Sequence, residues 1–457
     1  MEVFVVSSNL IERRLDPHYY RPIFIDFEKK LSKRNFDLID DISNVICGPF
    51  GSAILVSDYR ESGTPLIRIS NINSNGELVF TDVTYIENDL SEKLSNYKVA
   101  AGDIVISQRG TLGLTAIVTN EFNNAVISAN FIAIKNIKRF KPKFLKYFFD
   151  TEIANIQLQR RVSGQVQIKL TTDDIKTIKV PKIDDDAQNK IIQIMDEAYA
   201  RKKQNEEEAE RLLNSYTELV NEFVDIDLNI SAQRKIFIVH FEELGGALNP
   251  ERYANRLTLH SKYTWKPINN FGDVIRDTFT PSRSDPEDEF GLIRIDDLPS
   301  NPQEAEIRDV KGIEINGIIL KVQRNDVLVA RLGPTLENKK TIIVPDYPKE
   351  LIASNEFICL RCHENINPIF VLVMLKTDFY KNLMIQKSRG ATPSRRRLSH
   401  EDFAELPFPK IDKPIQDKIA EKFIEQIKKA KQLKQEATEA LDQAKKEVEK
   451  ILFEQAE

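Results

Sequence analysis

The sequence predicts an α+β fold with two tandem α/β domains, each followed by a long helix. Two observations predict this fold. The chain of 457 residues repeats itself once over most of its length, and each copy ends in a long charged run without glycine or proline. A chain of this length exceeds what one hydrophobic core usually supports, so two or more domains are expected. A hydrophobic content of 41% is typical of a globular protein.

The internal repeat is the most informative feature, because a long repeat decides the architecture before any single motif does. The matching residues keep one order, and the offset between the copies changes little along the chain. The repeat therefore predicts two whole copies of one folding unit. The matching segments are residues 2–17 with 235–250, 66–69 with 292–295, 102–105 with 325–328, and 128–131 with 353–357.

The globular part of each copy combines short strands with one helix. Apolar, β-branched runs at 66–70, 103–107 and 125–134 are separated by turn-forming residues and predict strands. Apolar residues at helical spacing predict one amphipathic helix over 143–160 and its copy over 369–387.

The long helices follow a proline exit from each domain, Val180-Pro181-Lys182-Ile183 and Phe408-Pro409-Lys410-Ile411. Residues spaced alternately by four and three predict a heptad seam, and therefore an antiparallel coiled-coil spacer with pseudo-twofold symmetry. A helix of about 38 residues spans roughly 57 Å. The seam positions are Met195, Tyr199, Lys202, Glu206, Ala209, Leu213, Tyr216, Val220 and Phe223, and then Phe423, Ile427, Ala430, Lys434, Ala437, Leu441, Ala444, Val448 and Ile451.

The predicted boundaries follow from these two patterns. The first domain is expected at residues 1–183 and the first spacer helix with a linker at 184–234. The second domain is expected at 235–411 and the second spacer helix at 412–457.

Several protein classes do not fit the composition. No apolar run is long enough to cross a bilayer, and the first residues lack the pattern of a secretory signal, so a cytoplasmic location is the expectation. Three cysteines do not make a disulfide framework. Cys359, Cys362 and His363 have the spacing of a haem-attachment motif. This motif is not expected to bind haem, because it lies at the end of a strand-like run in a chain without an export signal. A structural zinc site needs four ligands, which the sequence does not supply.

The charge is distributed unevenly. The net charge is −5, but residues 184–227 alone hold an excess of about eight negative charges. The rest of the chain is slightly basic, with clusters at 138–146, at 160–161 and at 387–397. A cluster of this kind is either a solvated face or an electrostatic footprint for an anionic partner.

The loops that differ most between the copies favour a nucleic-acid partner. Residues 108–113 align with 331–335, and residues 163–167 align with 389–395. These loops are rich in arginine, glutamine, serine and threonine, which hydrogen-bond to phosphates and to base edges. Two domains held apart by a rigid spacer are also the arrangement with which a DNA reader contacts two half-sites.

The whole chain resembles the specificity subunit of type I restriction-modification systems. The shared features are the duplication, the Gly-Asp-Ile-Val-Ile-Ser strand followed by Arg-Gly, the late Ser-Gly-Gln loop, the Val-Pro-Lys-Ile exit and the Gln-Asn-Lys-Ile helix start. The resemblance implies that the domains are target recognition domains and that the helices separate them. In this family two adjacent prolines and then Glu-Gln follow each domain. Here they are reduced to a single proline, with Asp186-Ala187-Gln188 in the first copy and Pro414-Ile415-Gln416 in the second.

The resemblance also implies a function and partners. The chain would recognise a bipartite double-stranded DNA target and recruit two methyltransferase subunits and restriction or translocase subunits, without catalysis of its own. No cofactor is expected in this chain, and S-adenosylmethionine is expected in the methyltransferase subunit. The residues predicted to contact bases or phosphates are Arg68, Gln108, Arg109, Gln165, Lys169, Arg294, Arg331, Arg389, Arg395 and Arg396.

Two other functions remain open from the sequence. Asn367-Pro368-Ile369-Phe370 resembles the base-holding motif of amino-methyltransferases, although no glycine-rich turn for a methyl donor accompanies it. The acidic total also fits an adaptor whose two domains bind proteins and never contact DNA.

Overall fold

The computed structural model describes residues 5–6, 11, 16–73, 75–109, 113–162, 169–224, 263–298, 306–390, 392 and 395–455. The chain divides into two compact units. One consists of Met1–Asn205 with Gln435–Glu457, and the other is Glu206–Lys434. Each unit thus holds one α/β domain and part of both long helices. The sequence-based boundaries, which give each helix a segment of its own, stay a prediction, and the predicted start of the second domain lies outside the described residues.

The first domain is built on short strands. The strands are β1 (Phe36–Leu38), β2 (Asn44–Cys47), β3 (Thr64–Ile67), β4 (Thr84–Ile86), β5 (Ile104–Ser107), β6 (Thr115–Ile117), β7 (Val126–Ile127), β8 (Phe131–Lys135) and β9 (Lys179–Pro181). They form a four-stranded antiparallel sheet in the order β2-β8-β5-β6, a three-stranded sheet in the order β4-β3-β7, and the pair β1-β9. All four residues of β5 are buried, which explains the apolar run Ile104-Val105-Ile106 within it.

Helices cover the sheets of the first domain. They are α1 (Pro22–Leu31), α2 (Ile39–Ile42), α3 (Asn88–Lys93), α4 (Pro142–Phe149), α5 (Glu152–Arg161) and α6 (Thr172–Lys176). Phe144, Phe148 and Ile153 of α4 and α5 are buried with Ile104 and Ile134 of the four-stranded sheet in one core.

The second domain repeats this construction. Its strands are β10 (Trp265–Pro267), β11 (Gly272–Ile275), β12 (Thr278–Phe279), β13 (Glu289–Ile293), β14 (Arg308–Lys311), β15 (Ile319–Lys321), β16 (Val327–Ala330), β17 (Thr341–Ile343), β18 (Glu350–Ser354), β19 (Phe357–Cys362) and β20 (Pro407–Pro409). Its helices are α9 (Pro281–Ser284), α10 (Gly333–Glu337), α11 (Pro368–Leu375), α12 (Asp378–Lys387) and α13 (His400–Ala404).

The two domains share their sheet topology. The order β11-β19-β16-β17 in the second domain corresponds to β2-β8-β5-β6 in the first, and β10 pairs with β20 as β1 pairs with β9. β13 lies parallel to β18, as β3 lies parallel to β7. The second mixed sheet is larger, with the order β12-β15-β18-β13-β14. The repeat found in the sequence is therefore a repeat of the fold.

The predicted amphipathic helices are each broken into two. The first breaks between α4 and α5, where the Thr151 hydroxyl accepts a hydrogen bond from the Ala154 amide. The second breaks between α11 and α12, where Thr377 accepts from the Tyr380 amide in the same way. The prediction of one continuous helix in each domain is thus wrong, because a threonine side chain caps a new helix and turns the chain.

The long helices are α7 (Asp185–Asn214), α8 (Tyr216–Phe223) and α14 (Lys413–Gln455). The first predicted spacer helix is interrupted at Ser215, whereas the second is continuous. In the first unit, Met195 of α7 shares a core with Val448 of α14. In the second unit, Tyr216 of α8 shares a core with Phe423. The late part of α14 thus packs with α7 and its early part with α8, which is the order expected of antiparallel helices. The seam residues predicted from the sequence are buried or half-buried.

The repeated glutamine at the start of each long helix fixes that helix to its domain. Gln188 is buried and its Oε1 accepts a hydrogen bond from the Lys141 amide at 2.9 Å. Gln416 is buried in the same way and its Oε1 accepts from the Asn367 amide at 2.9 Å. The Gln-x-Lys-Ile pattern therefore has a structural role, since it satisfies a backbone amide at the start of α4 or α11.

Among the described residues, no helix is both long enough and apolar enough to cross a membrane.

Candidate nucleic-acid interface

The ends of two strands of the first domain define one edge of its four-stranded sheet. Cys47 at the end of β2 pairs with Ile132, and Ser107 at the end of β5 pairs with Phe131. Both strands flank the start of β8, so their ends lie about 10 Å apart, or two strand spacings. The segments that follow β2 and β5 consequently leave the sheet side by side. We call this the recognition edge of the first domain.

The second domain has the corresponding recognition edge. Ile275 at the end of β11 pairs with Cys359, and Ala330 at the end of β16 pairs with Phe357. Arg276 and Arg331, the next residues along the chain, therefore leave this edge on either side of β19.

Arg68 and Arg294 lie next to these edges at equivalent positions. Arg68 follows Ile67, which pairs with Ile127 in the parallel part of the smaller sheet, and Arg294 follows Ile293, which pairs with Ala353. The Arg68 guanidinium lies 5.5 Å from the centre of the Tyr59 ring. The Arg294 side chain is half exposed and 3.9 Å from the Asp296 carboxylate.

Gln108 and Arg331 occupy the same backbone position in the two domains. The Gln108 amide donates to the Asn130 carbonyl, and the Gln108 carbonyl accepts from Leu170. The Arg331 amide and carbonyl make the matching bonds with Glu356 and Leu398.

The side chains at this position differ in their surroundings. The Gln108 side chain is buried, with its Nε2 within hydrogen-bond distance of the Ala129 carbonyl and Cys47 Sγ. The Arg331 side chain is partly exposed. Its buried Nε has no hydrogen-bond partner among the described residues. Because its side chain is buried, Gln108 is not among the residues that we propose to contact DNA.

The other predicted residues of the first domain lie close to the same edge. Arg109 is exposed, and Lys169 is half-buried next to Leu170. Within the part of the chain that the structure describes, neither side chain is paired with a carboxylate. Gln165 lies outside the described residues.

The second domain brings an arginine-rich loop to its edge. Arg389 pairs with Arg397 in a β-bridge, and Leu332 pairs with Arg397 from the other side. Gly390 permits the turn, because a Cβ there would lie 2.4 Å from the Arg395 carbonyl oxygen. The loop therefore closes on the residue next to Arg331.

Some of these arginines are paired and others are not. Ion pairs link Arg276 with Glu401 at 2.7 Å, Arg389 with Asp402 at 3.1 Å and Arg397 with Glu356 at 2.7 Å. In contrast, no described carboxylate pairs with Arg331 or with the exposed Arg395. Arg396 is half-buried and its carbonyl accepts from Gly333.

Two of these arginines also affect a neighbouring histidine. Burial and the nearby guanidinium groups of Arg331 and Arg276 hold the pKa of His400 below its ordinary value. Arg276 and His400 were not among the residues predicted from the sequence. The repeat offered a signal for Arg276, because Val274-Ile275 matches Val45-Ile46 and places the next residue at the edge.

Asn367 and Cys359, which belong to the methyltransferase-like and haem-like patterns in the sequence, take part in the fold of the second domain. Asn367 caps α11 with its Oδ1 and donates from Nδ2 to Asp417 at 2.7 Å. Cys359 is buried on β19, whereas His363 is exposed. Among the described residues, no group of three or more histidine, cysteine, aspartate or glutamate side chains is placed to hold a metal ion.

Comparison with known proteins identifies the first domain. Residues 38–213 match the family described as the type I restriction modification DNA specificity domain. None of the curated proteins compared with the chain matches it.

Solved structures match over most of the chain. One comes from a study of complex assembly and conformational transition of the type I R-M system, with 14% identity, a TM-score of 0.51, and coverage of 92% of this chain and 96% of that one. The HsdS subunit from Thermoanaerobacter tengcongensis matches with the same identity and coverage at a TM-score of 0.39. The S subunit from M. genitalium matches at 13% identity, the same coverage and a TM-score of 0.39.

The fold comparison rests on the first of these structures, and the family assignment rests on the domain match. Both agree with the resemblance seen in the sequence. The first domain therefore belongs to the type I restriction-modification DNA specificity family, and the second domain repeats its fold.

Proposed function

We propose that the chain is the sequence-specific DNA-binding subunit of a type I restriction-modification complex. It recognises a bipartite DNA target, with one half-site bound by the first domain and the other by the second. It directs two methyltransferase subunits, and restriction or translocase subunits where present, to that target. The chain itself is not catalytic, and S-adenosylmethionine binds to the methyltransferase partner.

One observation carries this proposal. In each domain, the strands and loops that hold the predicted residues end at one sheet edge, where Arg109, Arg331 and Arg395 have no carboxylate partner among the described residues. Such arginines are free to neutralise phosphates or to bind guanine in a bidentate manner. Arg389 and Arg397, which are already paired, are better suited to shape the loop. The set of DNA-contacting residues we propose is Arg68, Arg109, Lys169, Arg294, Arg331, Arg395 and Arg396.

The acidic part of the chain is compatible with this function. Most of the excess negative charge of residues 184–227 lies on α7 and α8, where ten acidic residues stand against five basic ones, and not on the recognition edges. We assign it to the surroundings of the partner subunits, where no phosphate has to approach.

The test compares arginine variants in the complex co-expressed with its methyltransferase subunit. We expect Arg395→Ala with Arg396→Ala to abolish methylation at cognate sites. The double variant should also lower the salt slope of DNA binding by about one for each phosphate that is no longer neutralised. Arg331→Ala should cost about 1 to 3 kcal/mol and relax specificity at one base pair. The matched control is Arg324→Ala, an exposed arginine that precedes β16 at the end opposite the recognition edge.

The same experiment separates the adaptor hypothesis. Assembly with the methyltransferase subunit, followed by size-exclusion chromatography, should be unchanged in all three variants. Loss of assembly together with unchanged DNA binding would show that these arginines bind a protein partner.

A further inference from the structure

The segment that leaves β2 presents three apolar side chains to solvent. Phe50 is 87% exposed, Val56 79% and Leu55 54%. We call these residues the apolar tip. The exposure is not that of a loose loop, because the segment forms two short 3-10 turns, Gly51–Ala53 and Val56–Asp58.

Hydrogen bonds hold the apolar tip in place. The Ala53 amide donates to the Phe50 carbonyl at 2.8 Å, and the Asp58 amide donates to the Leu55 carbonyl at 2.9 Å. The Asp58 carboxylate also accepts from the Leu55 amide at 2.7 Å. Local bonds thus fix a backbone that keeps apolar surface in water, an arrangement that is unfavourable unless a partner covers that surface.

The apolar tip lies at the recognition edge of the first domain. It follows Gly48, where a Cβ would lie only 2.1 Å from the Ser128 carbonyl oxygen, so the segment passes directly against the turn before β8. The same turn accepts a hydrogen bond from the Gln108 side chain. Arg109 follows, and it has no carboxylate partner among the described residues. Apolar surface and free positive charge therefore leave the same edge.

The second domain also has an aromatic residue at the place of Phe50, because Phe279 follows Val274-Ile275 at the same distance as Phe50 follows Val45-Ile46. Phe279 is partly buried, however, with its ring 5.9 Å from that of Phe290. Ser284 and Asp285 stand where the first domain has Leu55 and Val56. The apolar tip is thus specific to the first domain. Any contact that it makes should affect one half-site only.

We propose that Phe50 contacts the bases of DNA directly and acts as an apolar wedge at a base step of the half-site bound by the first domain. This inference rests on the proposed function. Proteins that deform DNA insert apolar side chains between base steps, with basic residues holding the neighbouring phosphates. Phe50 supplies the apolar side chain, while Arg109 and Arg68 supply the positive charge nearby. Leu55 and Val56 exclude water around it.

The test uses the full chain assembled with its methyltransferase subunit, and duplexes containing the site that methylome sequencing identifies. We expect Phe50→Ala to lower affinity between about fivefold and 150-fold, the range expected when one aromatic side chain no longer stacks on a base. Phe50→Leu, which keeps an apolar wedge, should bind within about twofold of the unchanged protein. The matched control is Ile23→Ala, an apolar residue that is 64% exposed on α1.

A second readout reports the wedge itself. With 2-aminopurine placed along the first half-site, fluorescence should rise on binding of the unchanged complex, because a wedge unstacks the neighbouring base. The rise should be absent with Phe50→Ala. Scrambling the first half-site should also remove the difference between the two proteins, whereas scrambling the second should preserve it.

Three results would overturn the inference. One is an affinity of Phe50→Ala equal to that of the unchanged complex, and another is a fluorescence rise that persists without Phe50. The third is loss of methyltransferase assembly in Phe50→Ala, which would place the apolar tip in a protein interface. If the unchanged complex itself shows no salt-dependent DNA binding, the proposed function fails instead.

Discussion

Lys376 is expected to weaken the fold of the second domain, and its replacement by methionine should strengthen it. The side chain is only 1% exposed, and its Nζ has no hydrogen-bond partner among the described residues. The Nζ lies 5.7 Å from the ring centre of Tyr216 on α8, so it is buried where the spacer packs on the domain. Burial, with a smaller effect of Lys339, lowers the pKa of Lys376 from 10.5 to about 7.

The lowered pKa gives the direction and the size of the effect. The unfolded chain holds the lysine proton up to about pH 10.5, whereas the folded chain releases it near pH 7. Stability therefore rises with pH between these values and falls as pH decreases towards 7. At 1.36 kcal/mol per pKa unit, the loss at pH 7 is roughly 4 kcal/mol. Lys376→Met should recover roughly 2 to 4 kcal/mol of it at pH 7 and remove this part of the pH dependence.

The chain offers a direct assay and a control. Its single tryptophan, Trp265, packs against the core of the second domain and reports urea unfolding by fluorescence. The free energy of unfolding is measured from pH 6.5 to 10 for both proteins, with the exposed Lys418→Met as the control. A Lys376→Met protein that is less stable at pH 7, or that keeps the pH slope of the unchanged chain, would show that the buried ammonium does not weaken the fold.

Three further perturbations test the packing and the spacer. Gln416→Ala removes the hydrogen bonds to Asn367 and Ile411. It should lower the free energy of unfolding by about 2 to 4 kcal/mol in the same assay. The control Gln435→Ala, at an exposed position, should lower it by less than about 0.5 kcal/mol. Gly48→Ala should destabilise the first domain, because the added Cβ would lie 2.1 Å from the Ser128 carbonyl oxygen. If the first domain of this variant resists protease as well as that of the unchanged chain does, the prediction is wrong. Inserting one heptad after Asn205 should alter or abolish the spacing of methylated half-sites, and methylome sequencing that finds the original spacing would count against the spacer.

The sequence contains enough information for the architecture because the repeat and the seam each depend on many residues. Seam positions such as Met195 and Val448 are buried as the heptad spacing predicts. The helix breaks were not predicted, since periodicity carries no information on a local cap. Thr151 and Thr377 stop a helix with one hydroxyl each, and the apolar pattern continues past them.

The candidate site was predictable by position but not by side-chain environment. Alignment of the repeats places Gln108 opposite Arg331, and the backbone bonds of the two residues match. Their burial differs because Gln108 is short enough to bond to the turn before β8 and to Cys47, whereas Arg331 is longer and remains partly exposed. Ion pairs such as Arg397 with Glu356 join residues far apart in the chain, so residue type alone does not separate paired arginines from free ones.

Salt titration of DNA binding is the sharpest test of whether this chain reads DNA. The chain, co-assembled with its methyltransferase subunit, is titrated against duplex DNA carrying the methylated site at increasing salt. We predict that log affinity falls linearly with log salt, with a slope of about −0.9 for each neutralised phosphate, and that the slope becomes less negative in Arg395→Ala with Arg396→Ala. An affinity that does not change with salt would contradict DNA recognition by these domains.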